Sequence, residues 1–429
     1  MRMPSRRRTA AVLLPAALIA AGLQLGVTPA GHASSGPSAG ELRLARGAEV
    51  AVPGSWIVVL KERVNPTTAA VPDVARELVG RAEGARLGHV YRAALHGFSA
   101  RMSRAEAARM TADPRVAYIR QDTRVSVADT AVDTTAPGTA VDTTSADTTQ
   151  PNAPWGLDRI DQRRLPLSTT YTYRTTAPGV SVYVIDTGLR TTHKEFGGRA
   201  SVGVDTVGDG QNGNDCNGHG THVGGVAAGT TYGVAKKARL VAVRVLDCQG
   251  SGSTSGVIAG VDWVTAKAAR PAVANMSLGG SANEALDTAV RNSIRSGVTY
   301  TVAAGGSGQP GGACGTSPSR VPETISVGAS DRTDRRSASS NSGDCVSLYA
   351  PGAQIPSAWN GSDSATATLS GTSMATAHAA GAAALHLGFR PTDTPAQVKR
   401  GLVDNATTGA LQGTPPVVPD KLLYTLYLP

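Results

Sequence analysis

From Trp155 onward, short runs of Val, Ala, Ile and Leu alternate with Gly-rich turns and segments of helical length. This alternation restricts the fold more than any other feature of the chain. A strand followed by a helix-length crossover returns parallel to its predecessor, and repetition builds a parallel sheet covered by helices on both faces. Strands are expected at Val180–Ile185, ending at Asp186, and at Leu240–Leu246, Val273–Met276, Val298–Ala303 and Thr324–Val327. Helices are expected at His219–Ala228, Val257–Ala268, Ala285–Ser296 and Ser373–Leu387. The fold class is therefore α/β, in three layers around a mainly parallel sheet. In such sheets, functional residues gather at the carboxyl ends of strands and in the first turns of helices.

The first third of the chain reads differently. Arg2, Arg6, Arg7 and Arg8 precede an apolar run from Ala10 to Leu25, and small residues follow to Ala33. That is the layout of a secretory signal peptide over residues 1–33, and it predicts a secreted protein with no membrane partner once the signal is removed. Residues 56–127 form a small α+β unit. Trp56–Leu60 reads as a strand, Val71–Glu83 as a helix, His89–Met102 as strand-like, Ser103–Met110 as a helix with a capping-box start, and Val116–Ile119 as a strand. Residues 128–150 carry a repeated Thr-Ala-Val-Asp-Thr-Thr and no large apolar cluster, which predicts a flexible linker holding a maturation site. Residues 151–429 hold the larger domain.

The formal charge of +9 invites a nucleic-acid reading, and its distribution argues against one. Four of those charges lie in the signal. From Gln150 onward there are 23 Lys and Arg against 19 Asp and Glu, a formal +4, with no basic run interleaved with aromatics. No nucleic-acid partner is expected, and the protein is expected to be a monomer. The four cysteines, Cys216, Cys248, Cys314 and Cys345, suit two disulfides in an oxidising compartment. Of the three pairings open to them, Cys216–Cys248 with Cys314–Cys345 closes local loops and is favoured. Zinc on Cys216, His219 and His222 lacks a second compact ligand pair.

Three segments sit where chemistry is expected. Val184-Ile185-Asp186-Thr187-Gly188 places an acid at a strand end. Asn217-Gly218-His219-Gly220-Thr221-His222 places a histidine where a helix begins. Ser370-Gly371-Thr372-Ser373-Met374-Ala375 places a serine at the start of a small-residue helix. A serine hydroxyl attacks a carbonyl only when a neutral imidazole takes its proton, and a buried carboxylate fixes the imidazole tautomer. The order Asp, His, Ser is one of the known chain orders of this triad.

With Asn275-Met276-Ser277-Leu278-Gly279-Gly280, these segments make Trp155 to Tyr427 resemble the subtilisin-like serine peptidases, in the secreted proteinase K-like branch. Residues 56–127, beginning Ile57-Val58-Val59-Leu60-Lys61, resemble the inhibitor propeptide of such enzymes. The cysteine spacing resembles that branch too. The resemblance implies a secreted endopeptidase with Asp186 as orienter, His219 as general base and acid, and Ser373 as nucleophile. It implies extended polypeptide substrates and the protein's own propeptide as inhibitor. Gly250, Ser251 and Gly252, with Ser277, Leu278 and Gly279, match the two strands that bracket the substrate, and Ala303, Ala304 and Gly305 match one wall of the pocket before the scissile bond. The Ser373 backbone N–H is one oxyanion donor. The family's second donor is an Asn side chain, and Gly306 stands in its place, which predicts weakened oxyanion stabilisation. A catalytically impaired pseudo-peptidase that binds extended peptides or inhibitors is the alternative.

No cofactor is implied for catalysis. A structural calcium ion is implied by the resemblance, yet an aspartate that serves a calcium site in the family is Ser347 here. Further departures are Ser339 and Ser342, where rings are usual, and Ala377 and Ala379, where Pro and Val are usual.

Overall fold

The computed structural model describes residues 40–47, 49–61, 70–133, 149–413 and 418–428. The expected signal peptide, 1–33, lies outside the described residues, as does 134–148 of the expected linker.

The first unit is built from β1 (Glu41–Arg43), β2 (Ala51–Leu60), α1 (Val71–Arg81), β3 (Arg86–Tyr91), β4 (Gly97–Arg101), α2 (Arg104–Met110) and β5 (Val116–Val127). β2 alternates faces as a strand must. Trp56, Val58 and Leu60 pack with Phe98, Val74 and Leu78 in the unit's own core, while Ile57 and Val59 join a core shared with the larger domain. The single strand expected over His89–Met102 is a hairpin, β3 and β4, because the chain leaves the sheet at Arg92–Ala94. There Asp262 of the larger domain accepts the backbone N–H groups of Arg92, Ala93 and Ala94 at 2.7–3.0 Å. α2 begins as expected, with Ser103 Oγ accepting from Glu106 N at 3.1 Å.

β5 is three times longer than the expected Val116–Ile119. The tract expected to be wholly linker begins with β6 (Asp129–Asp133) and ends with β7 (Thr149–Pro151). The larger domain continues through α3 (Trp155–Ile160), β8 (Thr170–Thr172), β9 (Ser181–Asp186), β10 (Ala200–Asp205), α4 (His219–Ala228), β11 (Arg239–Arg244), β12 (Ser251–Ser253) and α5 (Thr254–Lys267). Next come β13 (Ala272–Met276), β14 (Leu278–Ser281), α6 (Glu284–Arg295), β15 (Thr299–Ala303), β16 (Thr316–Ser317) and β17 (Ile325–Ser330). β18 (Leu348–Pro351), β19 (Ile355–Ala358), β20 (Thr366–Gly371), α7 (Thr372–Phe389), α8 (Pro395–Asp404), β21 (Thr407–Thr408) and β22 (Lys421–Leu422) complete it.

The central sheet runs β10-β11-β9-β13-β15-β17-β18-β22-β21, parallel except for the last pair. β9 shows why three layers form. Val182 and Val184 face the core of α4 and α7, while Tyr183 and Ile185 face that of α5 and α6. A strand buried on both faces reads as a continuous apolar run, as Val180–Ile185 does.

Candidate active site

Asp186 ends β9, wholly buried, and His219 is the first residue of α4. Asp186 Oδ1 lies 2.6 Å from His219 Nδ1 and also accepts from Thr187 N at 2.7 Å. Burial pushes the Asp186 carboxyl above its ordinary range, and the His219 ring opposes that rise. The contact ties the strand-end carboxylate to Nδ1, which fixes the imidazole orientation.

The turn that delivers His219 is fixed by a residue sequence reasoning missed. Asp215, buried, accepts from Gly218 N at 2.8 Å, Thr221 N at 2.8 Å, Thr221 Oγ1 at 2.6 Å and Thr187 Oγ1 at 2.9 Å. Thr187 Oγ1 in turn accepts from Gly220 N at 2.9 Å. A Cβ on Gly220 would stand 2.1 Å from the Gly188 carbonyl, so only glycine lets the two turns interlock. An Asp two residues before Asn217-Gly218 is the available signal, since short acidic side chains bond nearby backbone N–H groups ahead of helices. His222 lies outside the site, its Nε2 3.0 Å from Ile355 O and 3.2 Å from Ala367 O.

Ser373 is the second residue of α7 and fully buried. Its Oγ donates to Ser277 O at 3.1 Å, and Ser277 Oγ donates to Ser373 O at 3.0 Å. Asn275 Nδ2 donates to Ser277 Oγ at 2.9 Å, extending the network into β13. Its position in the first turn of α7 puts Ser373 at the positive end of an 18-residue helix.

The chain's own β5 lies between the two strands expected to bracket a substrate. It runs antiparallel to β12 on one side and to β14 on the other. Val125 lies opposite Gly252, Ser126 opposite Ser251 and Gly279, and Val127 opposite Leu278. Val127 N donates to Gly250 O at 3.0 Å, and Ala128 N donates to Ser277 O at 3.3 Å. All six residues expected to bracket a substrate therefore hold this strand. Past Ala128 the chain continues as β6, with Asp129 opposite Gly371 and Ala131 opposite Ser370. Thr372 Oγ1 lies 3.4 Å from the Ala128 carbonyl oxygen, a donor the sequence did not suggest.

Beside Ala128 is a cavity of about 240 Å³ lined by Gly279, Gly305, Gly306, Thr316 and Asn341 among others. Gly305 and Gly306 thus lie where a pocket wall is expected. Ala303 is instead buried in β15, and Ala304 packs with Ala313, Val346 and Tyr349. Asn341 lines the cavity, but its amide is committed: Nδ2 donates to Ala304 O at 3.0 Å, and Oδ1 accepts from Ser307 Oγ and Gln309 N. Gly305 has a φ of +101°, and a Cβ there would meet Asn341 Nδ2 at 2.5 Å. Ser339 and Ser342 meet this loop through the backbone, as Ser339 O accepts from Gly308 N and Ser342 N donates to Gln309 O. Ala377 and Ala379 are fully buried in α7.

The disulfides are Cys216–Cys248 and Cys314–Cys345, the favoured pairing. The first ties the His219 turn to the loop before β12. With both sulfurs bonded, and Asp209 paired to Arg244 at 2.6 Å, the cluster of Asp209, Cys216 and Cys248 offers no metal site.

Comparison with known proteins gives concordant matches. A subtilase family model covers residues 177–417, and a peptidase inhibitor I9 model covers 55–128. The chain is 47% identical to an extracellular serine proteinase of Thermus sp. (strain Rt41A), over 94% of this chain and 98% of that protein. It is 46% identical to alkaline serine exoprotease A of Vibrio alginolyticus, over 88% of this chain and 68% of that one. A cold-adapted subtilisin-like serine proteinase of known crystal structure superposes with a TM-score of 0.62 at 52% identity, over 64% of this chain and 99% of that one.

Proposed function

The chain belongs to the subtilase family as a serine-type endopeptidase behind an I9 inhibitor segment, and from that premise we propose that Asp186, His219 and Ser373 are its triad and that its first substrate is its own chain. The observation that carries this reading is the path of β5 and β6. The chain lies in the cleft as an extended peptide would, paired on both sides, with the Ala128 carbonyl beside Ser373 and Thr372.

In the reaction, the Ser373 hydroxyl leaves its bond to Ser277 O and passes its proton to His219 Nε2. Oγ then attacks the carbonyl carbon of Ala128. Asp186 keeps the proton on Nδ1 and stabilises the imidazolium that forms. The oxyanion meets the Ser373 backbone N–H and the Thr372 hydroxyl. His219 returns its proton to the departing nitrogen of Asp129, and a water molecule, activated by the same imidazole, releases the acyl group. Nucleophile, base and oxyanion donors are all groups of the polypeptide, so no cofactor enters.

The domain boundaries follow from this scheme. Export removes residues 1–33, the segment through Ala128 folds against the larger domain and blocks it, and cleavage starts maturation. Asp122 fits the inhibitory role. Buried between the two units, it accepts from Ser55 Oγ, Ser255 N and Ser255 Oγ at 2.6–3.0 Å. The protein then acts outside the cell on extended polypeptides.

A fluorophosphonate probe tests the reading. The matured protein labels at Ser373, and a His219→Ala chain freed of its prosegment by added protease does not. Folded, matured protein that does not label would instead favour a peptide-binding role without cleavage.

A further inference from the structure

The resemblance implies a calcium-ligating aspartate where Ser347 stands, and the groups there do not suit a metal ion. In the loop before β17, the carbonyls of Pro322 and Thr324 converge on one point. Lys399 of α8 fills it, with Nζ 2.7 Å from each oxygen. Ser347 Oγ also points at the Thr324 carbonyl, at 3.4 Å, and accepts from Ser326 N at 3.2 Å. Calcium takes six to eight oxygen ligands, usually with carboxylates among them. Two carbonyls and a hydroxyl supply no charge. The adjoining cavity of about 330 Å³ is lined by Arg320, Lys399 and Lys421 against one carboxylate, Asp344. That lining repels a dissolved cation.

Two carbonyl oxygens held together still need a positive partner. An ammonium offers three donors and a full charge, so its bonds to them are charge-assisted. Burial presses Lys399 toward its neutral form, and the nearby Glu323 carboxylate opposes that pressure. α8 is set for the task. Thr394 and Gln397 form a capping box at its start, and Val398 and Leu402 are fully buried against the larger domain, which aims the neighbouring Lys399 at the loop.

We propose that the Lys399 ammonium is a tethered cation that replaces a structural metal ion at the Pro322–Thr324 carbonyl pair, so that a side chain rather than a bound ion pins α8 to the loop before β17. The arrangement has two halves: Ser347 stands where the resemblance implies a carboxylate, and the positive charge is carried by Lys399 of α8.

The test measures thermal unfolding of the full chain carrying Ser373→Ala, with calcium chloride and with a chelator, alongside terbium titration. A chain still cut in this background reveals itself by mass, and that failure belongs to the Ser373 assignment rather than to Lys399. Lys399→Met lowers Tm by about 4 °C or more in both conditions, and calcium does not restore it. Lys399→Met/Ser347→Asp unfolds early in chelator, recovers in calcium and gains one terbium site per chain. Ser347→Asp alone, which keeps the lysine, gains neither. Three results overturn the proposal: an unchanged Tm in Lys399→Met, a double variant with no calcium response, or a calcium site in Ser347→Asp alone.

Discussion

Ala128 and Ser277 are joined by a backbone hydrogen bond of 3.3 Å, with the Ala128 N–H donating. The same Ser277 carbonyl receives the Ser373 hydroxyl at 3.1 Å. One oxygen therefore holds both the Ala128 backbone and the Ser373 hydroxyl, and in the proposed reaction Ala128 stands immediately before the bond to be cut.

Removing that donor slows self-cleavage. Ala128→Pro has no N–H to offer Ser277. One hydrogen bond of this kind is worth about 1 kcal/mol, so the first-order rate of prosegment release falls about fivefold. A time course of chain length on a gel measures it, and an unchanged rate would remove Ala128 from the register.

The proposed oxyanion site couples Thr372 to Gly306. A subtilisin that loses its amide donor slows by about 10²–10³, and in the proposed site Gly306 has no side chain to supply one. Gly306→Asn raises kcat on a peptide substrate by about 10². Thr372→Val, which deletes only the hydroxyl, lowers kcat about tenfold in the wild type, less in the Gly306→Asn background, and Thr372→Ser restores it. Equal losses in both backgrounds would show that the hydroxyl does not stand in for the missing amide.

His378 makes stability depend on pH. It is buried in α7 with Nδ1 2.9 Å from Met374 O, and burial pushes its pKa down to about 4. An unfolded histidine titrates near 6.5, so between about pH 6.5 and 4 the unfolded chain takes up a proton that the fold refuses. Stability is fully present above that window and declines as pH falls through it, by up to about 3 kcal/mol. Urea unfolding of the Ser373→Ala chain across the window shows this slope. His378→Gln flattens it, and a slope that survives the substitution would assign it to other groups.

Asp186, His219 and Ser373 were legible as candidates because each belongs to a local pattern: an apolar run ending in an acid, or a Gly-rich turn opening a helix. The sheet was legible for the same reason, since Val180–Ile185 must be covered on both faces. Asn341 and Thr372 were not legible as site residues, because their roles arise only when the Ala304–Gln309 loop, or β5, arrives from elsewhere in the chain. β5 shows the gap best. Its alternating residues read as a strand only to Ile119, yet it runs to Val127 because β12 and β14 supply partners that lie more than a hundred residues away. α8 was overlooked, although Thr394-Pro395 with Gln397 is a recognisable helix start. Ser347 was noticed as a departure, but nothing in the sequence pointed to Lys399 as its counterpart.

The proposed self-cleavage falls at the Ala128–Asp129 bond and runs through Ser373. Intact mass and N-terminal sequencing, on freshly purified wild-type and Ser373→Ala chains made without added protease, test it most directly. The account predicts a prosegment ending at Ala128 and a catalytic chain beginning at Asp129 in the wild type, with the variant left whole. A Ser373→Ala chain cut at the same bond, or a wild-type chain whose first cut lies elsewhere, would contradict it.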